Sequence, residues 1–280
     1  MTIVFIGLGL IGGSFAIDLR ALPGAETFLG VDTDPAHARR ARELGLVDEI
    51  VELEEAMSRA DTVILAIPVD AIAKLLPRLL DRVRPNQTIL DLGSTKRAVT
   101  EAVSGHPHRD RYVAAHPMAG TENCGPDAAL PGLFKGKVVL LCDLDQSAPD
   151  ACRTALEIFH AVGLKFEFMT PAQHDRHAAF VSHLSHVVAY ALSLAVQSEE
   201  KAGYAVPRLA GGGFASTVRL AKSNPEMWTP IFVQNADEVL PAIDAFLAEM
   251  QTFRDALAAH DAPRLDTLIR NANHIKELLR

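Results

Sequence analysis

His116 lies in the stretch AAHPMAGTE, residues 114 to 122, directly after an apolar run from Arg111 to Ala115 that reads as a β-strand. A histidine at a strand end is a candidate acid or base, because its ordinary pKa lies so near neutrality that modest surroundings decide its charge. Alone, a surface-loop histidine is the commoner reading. Two further constellations bear on it. On a helical pattern running from about Ala172 to Glu200, Asp175, Ser182, His186 and Ser193 fall within about 40° of one another at roughly 100° per residue, with His183 about 60° from His186 and His177 on the opposite side. For each residue singly a satisfied core position is the plainer reading, but a whole polar stripe on an apolar helix suggests a cleft. The two histidine pairs lack the carboxylate-rich surroundings of a metal site, so no metal is expected. In GGGFASTVRLAKSNPEMW, residues 211 to 228, the glycines read as a break before a short helix that presents Arg219, Lys222 and then Trp228. Arg219 could hold a carboxylate in a bidentate pair, or could be half of a surface ion pair.

These residues need a frame, and the N-terminus supplies one. Thr2 to Ile6 is an apolar run that ends in Gly7, Gly9 and Gly12, and a helical pattern follows through about Leu22. Strand, glycine turn and helix start form the dinucleotide-binding fingerprint: the glycines allow the turn and the close approach of backbone to pyrophosphate. The N–H groups where the helix opens, at Leu10 and Ile11, face the phosphates. A second strand, Thr27 to Val31, closes on Asp32, 20 residues beyond Gly12, where a carboxylate binds the ribose hydroxyls of NAD. Asp34 adds negative charge against a 2′-phosphate and can also cap the helix that begins near Pro35. NAD is therefore expected over NADP, with Arg39 and Arg40 on the next helix as the residues that could answer a phosphate instead.

Further strands read at Thr62 to Ile67, Thr88 to Leu92, Arg111 to Ala115, Lys137 to Leu141 and Leu164 to Met169. Strands alternating with helices predict an α/β fold, a Rossmann-type doubly wound and mainly parallel sheet with ligands beyond the carboxyl ends of the strands. That rule gathers the glycine turn, Pro68, Ser94 and His116 along one rim. Past Thr170 the pattern becomes helical throughout, and Pro171 suits a first helical turn. The expected division is a Rossmann domain over 1–169 and an all-helical substrate and dimerisation domain over 170–280.

Composition narrows the partners. The 280 residues are 49% hydrophobic and 22% charged, an ordinary globular balance, and the net charge of −8 argues against nucleic acid or an acidic membrane surface. No signal-peptide pattern opens the chain, and no unbroken apolar run approaches the roughly 20 residues of a membrane span, so a cytoplasmic protein is expected. Cys124, Cys142 and Cys152 fit neither a disulfide framework nor a zinc site and read as reduced thiols. The amphipathic segments Pro230 to Ala259 and Arg264 to Leu279 read as bundle core and subunit interface, hence a homodimer.

With these residues in view, the chain resembles the prephenate and arogenate dehydrogenase family over nearly its whole length. The resemblance is carried by GLGLIGGS at 7–14, DLGSTK at 91–96, HPMAGTE at 116–122, SHLSH at 182–186, and GGGF at 211–214 with Arg219 and Trp228. It implies an NAD-dependent oxidative decarboxylation of prephenate in tyrosine biosynthesis. It further implies His116 as the residue that accepts or polarises the C4 hydroxyl proton, and Ser94 as a hydrogen-bonding partner of the histidine, the hydroxyl or the nicotinamide region. Arg219 would bind the ring carboxylate, and His186 with Ser182 and His183 would face the side arm. Thr121 and Glu122 would shape the pocket and Trp228 would pack beneath it. One departure is visible: many relatives carry an Asp three residues before the arginine, where this chain has Ser216. No added chorismate mutase segment is expected.

Three other readings compete. Arogenate in place of prephenate differs only in an ammonium on the side arm, and Glu122 is the nearby carboxylate that would favour it. A β-hydroxyacid dehydrogenase would need a catalytic Lys on the first long helix after the Rossmann domain, and Pro171 to Glu200 contains none. A non-catalytic NAD-binding protein would have no need of His116, Ser94 and Arg219 together.

Overall fold

A computed structural model describes residues 1–201 and 210–278. The chain packs as two compact units, Met1–Asn235 and Ala236–Arg280. In the first, β1 (Thr2–Ile6), α1 (Leu10–Leu19), β2 (Thr27–Val31), α2 (Pro35–Glu43), β3 (Glu49–Ile50), α3 (Leu53–Arg59), β4 (Thr62–Leu65), α4 (Val69–Leu80), β5 (Thr88–Asp91), α5 (Arg97–Glu101), β6 (Tyr112–Pro117), β7 (Val138–Cys142), α6 (Pro149–Ala161) and β8 (Lys165–Met169) follow one another. Among the described residues the strands make one eight-stranded sheet in the order β3-β2-β1-β4-β5-β6-β7-β8. All neighbours are parallel except β6 and β7.

The period of two along β1 shows why this sheet is covered on both faces. Ile3 and Phe5 join a core with Phe15 and Leu19 of α1 and Ile158 and Phe159 of α6. Val4 and Ile6 join another with Met57 of α3 and Ile72, Leu76 and Leu79 of α4. A strand buried on both faces must be apolar throughout, which is why the parallel strands read as unbroken runs. The order reverses between β1 and β4, and ligands of doubly wound sheets bind outside the strand ends at that reversal.

After β8 the first unit continues with α7 (Pro171–Ala178), a π-helical turn (Ala179–His183), α8 (Leu184–Lys201), α9 (Gly212–Thr217), a 3₁₀ turn (Arg219–Lys222) and α10 (Pro225–Gln234). Capping explains the starts: Thr170 and Gln173 form a capping box with Pro171 in the first turn, and Asn224 accepts from the Glu226 N–H ahead of α10. The second unit holds α11 (Ala236–Ala258), α12 (Ala262–Asn273) and α13 (Ile275–Leu278).

Five features differ from the sequence reading. The two-residue β3 is too short to leave a periodic signal. β6 runs on through His116 and Pro117, because antiparallel β7 pairs His116 with Leu140 and Pro117 with Val139, so the histidine is in the strand rather than after it. The helix expected over 172–200 is interrupted by the π turn. Pro171–Glu200 is, by length and composition, apolar enough to cross a membrane, which a search for unbroken apolar runs overlooks because His and Ser punctuate it. Arg219, Lys222 and Trp228 also do not share one helix: Val218 closes α9, and Asn224 with Pro225 opens α10.

Candidate active site

The glycine turn is built as the fingerprint requires. Gly7 has φ +93°, and a Cβ there would lie 2.4 Å from the Ala66 carbonyl oxygen at the end of β4. A Cβ on Gly12 would lie 2.0 Å from the Gly7 oxygen, so neither position accepts a side chain. Gly9 caps α1 without a side-chain hydrogen bond, and Leu10 and Ile11 open the helix, where backbone N–H groups have no intrahelical acceptor. The half-buried Asp32 carboxylate accepts from Leu8 N at 2.9 Å and from Asp34 N at 2.9 Å, which aims it from the end of β2. Asp34 caps α2 by accepting from Ala36 N. Pro68 is exposed at the start of α4. These features fit a dinucleotide, and the Arg40 guanidinium donates to Asp127 and Glu43.

Farther along the rim, His116 is buried, and its Nδ1 lies 2.8 Å from His174 Nε2. His174 Nδ1 in turn lies 2.7 Å from Asp175 Oδ1. Asp175 also accepts from the backbone N–H of Lys96 at 2.7 Å and of Arg97 at 3.0 Å. Burial alone would raise the Asp175 pKa, but the hydrogen bond and charge of His174 with the two backbone donors outweigh it and hold the carboxyl below its usual range. Burial, with His174, Lys96 and His183 nearby, drives the His116 pKa well below 6.5, so the ring is neutral at pH 7. Ser94 is half-buried on the loop after β5, and the partner of His116 Nδ1 is His174, not Ser94. That loop is locked from below by a fully buried group: Lys96 Nζ and Tyr112 OH both donate to the Asp91 carboxylate, which also accepts from Gly93 N at 2.7 Å.

The helical side supplies a second wall. His183 is fully buried, and Asn235 Nδ2 donates to its Nδ1 at 3.0 Å and to the Asp175 carbonyl at 2.8 Å. His186 stacks on Trp228 with ring centroids 3.4 Å apart, and His183 meets the same indole edge-on at 5.9 Å. The His186 Nδ1–H donates to the Ser182 carbonyl at 3.0 Å, while Ser182 itself is only half-buried. Burial lowers the His186 pKa, with Arg219 adding to the effect against the Ser182 hydrogen bond. His183 Nε2 and Trp228 Nε1 are buried with no hydrogen-bond partner among the described residues. Arg219 Nη1 donates to Glu122 Oε2 at 2.5 Å, which joins the 3₁₀ turn to the loop after β6. Thr121 in that loop accepts from Asn123 N. Ser216 donates to the Gly213 carbonyl.

Burial pushes the His183 pKa down to about 4. The unfolded chain takes up this proton near pH 6.5 and the native chain only near pH 4, so the stabilisation is full above pH 6.5 and lost as pH falls toward 4. That window is worth about 3 kcal/mol for His183. Urea unfolding at pH 7 and pH 4.5 is expected to show a steeper loss for the parent chain than for His183→Gln, and equal losses would refute it.

Residues 15–168 match the family model for the prephenate dehydrogenase nucleotide-binding domain, and residues 170–271 match that for the prephenate dehydrogenase dimerization domain. The chain belongs to the prephenate dehydrogenase family. Among relatives of the family, a cyclohexadienyl dehydrogenase of Zymomonas mobilis is 33% identical over 265 residues, covering 94% of this chain and 90% of that protein. A prephenate dehydrogenase of Bacillus subtilis is 30% identical, covering 99% of this chain and 75% of that protein. The crystal structure of the Aquifex aeolicus prephenate dehydrogenase with hydroxyphenyl propionate and NAD+ superposes with a TM-score of 0.90 at 28% identity, over 99% of this chain and 98% of that one.

For a prephenate dehydrogenase family member, the structure joins Arg219 to Glu122 and His186 to Trp228 by direct contact, and His183, which meets the same indole, lies near enough to His116 to influence its charge. It also contributes His174, Lys96 and Asn235, which the helical wheel and motif reading did not select. His174 went unselected because it is about 100° from Asp175 on an ideal helix. Its place beside Asp175 at the start of the polar stripe was the signal available. Lys96 and Asp91 were inside the quoted DLGSTK motif, but a buried ion pair leaves no mark in sequence spacing.

Proposed function

We propose that this chain is an NAD-dependent prephenate dehydrogenase, converting prephenate to 4-hydroxyphenylpyruvate in tyrosine biosynthesis. The observation that carries this is His116: a neutral, buried histidine on the sheet rim, with one ring nitrogen held by His174 and the other without a partner among the described residues. NAD, when bound, supplies the hydride acceptor. Gly7, Gly9, Leu10, Ile11 and Gly12 would hold its pyrophosphate, Asp32 its ribose hydroxyls, and Pro68 would line the nicotinamide side. His116 takes the C4 hydroxyl proton, so the oxygen lone pair can form the C=O bond as hydride leaves C4. The electrons of the C1–carboxylate bond then enter the ring as CO2 departs, the pair displaced from the C4=O bond leaves a phenolate oxygen, and the proton held on His116 returns to that oxygen.

Arg219 would hold the ring carboxylate, a contact that must orient the group without overstabilising it before it leaves. Glu122 occupies the Arg219 guanidinium in this structure and would yield it to substrate. His186, Ser182, His183 and Thr121 would face the side arm, over Trp228. Ser94 would act beside the reacting hydroxyl. The division at 169/170 is proposed as the functional one, cofactor before it and substrate and dimerisation after it.

A cytoplasmic homodimer is proposed. Only 22% of the apolar window within Pro171–Glu200 is buried, so the chain's own core does not explain that composition. Phe180, Val181 and Leu194 there, and Leu247, Met250, Leu257 and Ile269 in the second unit, are large and exposed, as a subunit interface requires. The decisive experiment is a steady-state comparison of kcat/KM for prephenate and arogenate, each with NAD and NADP. Prephenate with NAD is expected to be highest. Absence of NADH formation from either substrate would remove the dehydrogenase reading.

A further inference from the structure

We propose that His174 and Asp175 are positioning residues that lock His116 in its Nδ1–H tautomer, so that Nε2 presents a lone pair to the hydroxyl it must deprotonate. The inference rests on the proposed function only for the identity of that proton. It follows from donor and acceptor counting along one line of contacts. Asp175 accepts from two backbone N–H groups, Lys96 on Oδ1 and Arg97 on Oδ2, an arrangement that favours its ionised form. An ionised carboxylate has nothing to donate, so His174 Nδ1, 2.7 Å from Oδ1, must carry a proton. A neutral His174 then has its lone pair on Nε2. That nitrogen lies 2.8 Å from His116 Nδ1, which must be the donor of the next bond. A neutral ring protonated at Nδ1 is unprotonated at Nε2.

Free neutral imidazole side chains favour the opposite form, with the proton on Nε2, in which this ring would offer the substrate hydroxyl a donor and no base. Packing alone could hold the ring in place, but it could not choose between these forms. The line is anchored at its far end: Asn235 ties the Asp175 carbonyl to His183, and the buried Asp91, Lys96 and Tyr112 group fixes the loop whose N–H groups meet Asp175. Once His116 has taken the hydroxyl proton, its Nδ1–H still donates to His174, and the Asp175 carboxylate lies one ring away from the positive charge.

The test reads the tautomer directly. Long-range ¹H–¹⁵N correlation spectra of the ¹⁵N-histidine-labelled protein at pH 8, with His116 assigned by its loss in His116→Asn, are expected to show a protonated Nδ1 and an unprotonated Nε2. His174→Phe is expected to shift His116 toward the Nε2–H form and to lower kcat about 10²-fold while leaving KM within about threefold. His174→Gln, whose amide oxygen can accept from Nδ1–H, is expected to recover part of both. An Nε2–H signal in the parent protein, or a His174→Phe protein with the parent's tautomer and kcat, would overturn the proposal. If His174→Phe fails to fold, the parent spectrum and His174→Gln decide it. An inactive parent protein with the Nδ1–H form would count against the dehydrogenase reading alone, whereas an active one with the Nε2–H form would count against the relay alone.

Discussion

His116→Asn is expected to fold, to bind NAD with unchanged affinity, and to lower kcat by about 10²- to 10⁴-fold, the range that general acid–base catalysis supplies. The amide nitrogen of the smaller side chain takes the place of the imidazole Nδ1 and can still donate toward His174 Nε2, so the buried line from Asp175 is preserved at its end. What it lacks is a lone pair basic enough to take a hydroxyl proton. The parent enzyme should show the complementary pH behaviour. The base works only unprotonated, and burial with the nearby His174, Lys96 and His183 holds its pKa well below 6.5. In the free enzyme, kcat/KM should therefore stay level from pH 8 through 6.5 and fall only in more acid solution, as protonation removes the base. Thermal unfolding, NAD titration by fluorescence and steady-state rates separate the terms. A variant retaining near-parental turnover would remove His116 from the chemistry.

Arg219→Gln is expected to raise KM for prephenate about 10²-fold, with a smaller change in kcat. Hydrogen bonds to a charged partner are each worth about 1.5–3 kcal/mol, and a guanidinium offers a carboxylate two in parallel. The partition toward KM follows from the carboxylate's being held in the ground state and released as CO2, so its binding is not strengthened in the transition state. Stability should hardly move. Arg219 is half exposed and its pairing with Glu122 is of the kind that contributes about 0–1 kcal/mol. A variant with unchanged KM and a much lowered melting temperature would make the arginine structural.

How far such roles can be read from a sequence depends on the range of the forces involved. The seven long strands, the glycine turn and Asp32 were legible because each is a local pattern: an apolar run, a steric requirement for glycine, a carboxylate at fixed spacing. The two-residue β3 carries no period. The extension of β6 through His116 came from pairing with β7, an interaction between distant segments that neither run announces alone. In the site, the residues named from motifs proved to be neighbours, Glu122 with Arg219 and His186 with Trp228. His174 escaped because its importance lies in a contact across 58 positions of sequence. The wheel that grouped Ser182 with Asp175 also assumed 3.6 residues per turn throughout, and the π turn at Ala179–His183 breaks that assumption.

That turn sets a phase difference between two rotors. Upstream of it, α7 must be clocked to the sheet, since Asp175 has to meet the N–H groups of residues 96 and 97 while His174 meets His116. Downstream, α8 must be clocked to the indole of Trp228. One uninterrupted helix has a single angular setting and would satisfy one of these demands at the expense of the other. The wider turn decouples them, so the contact to His116 and the stacking on Trp228 are adjusted separately although both are carried by one continuous rod.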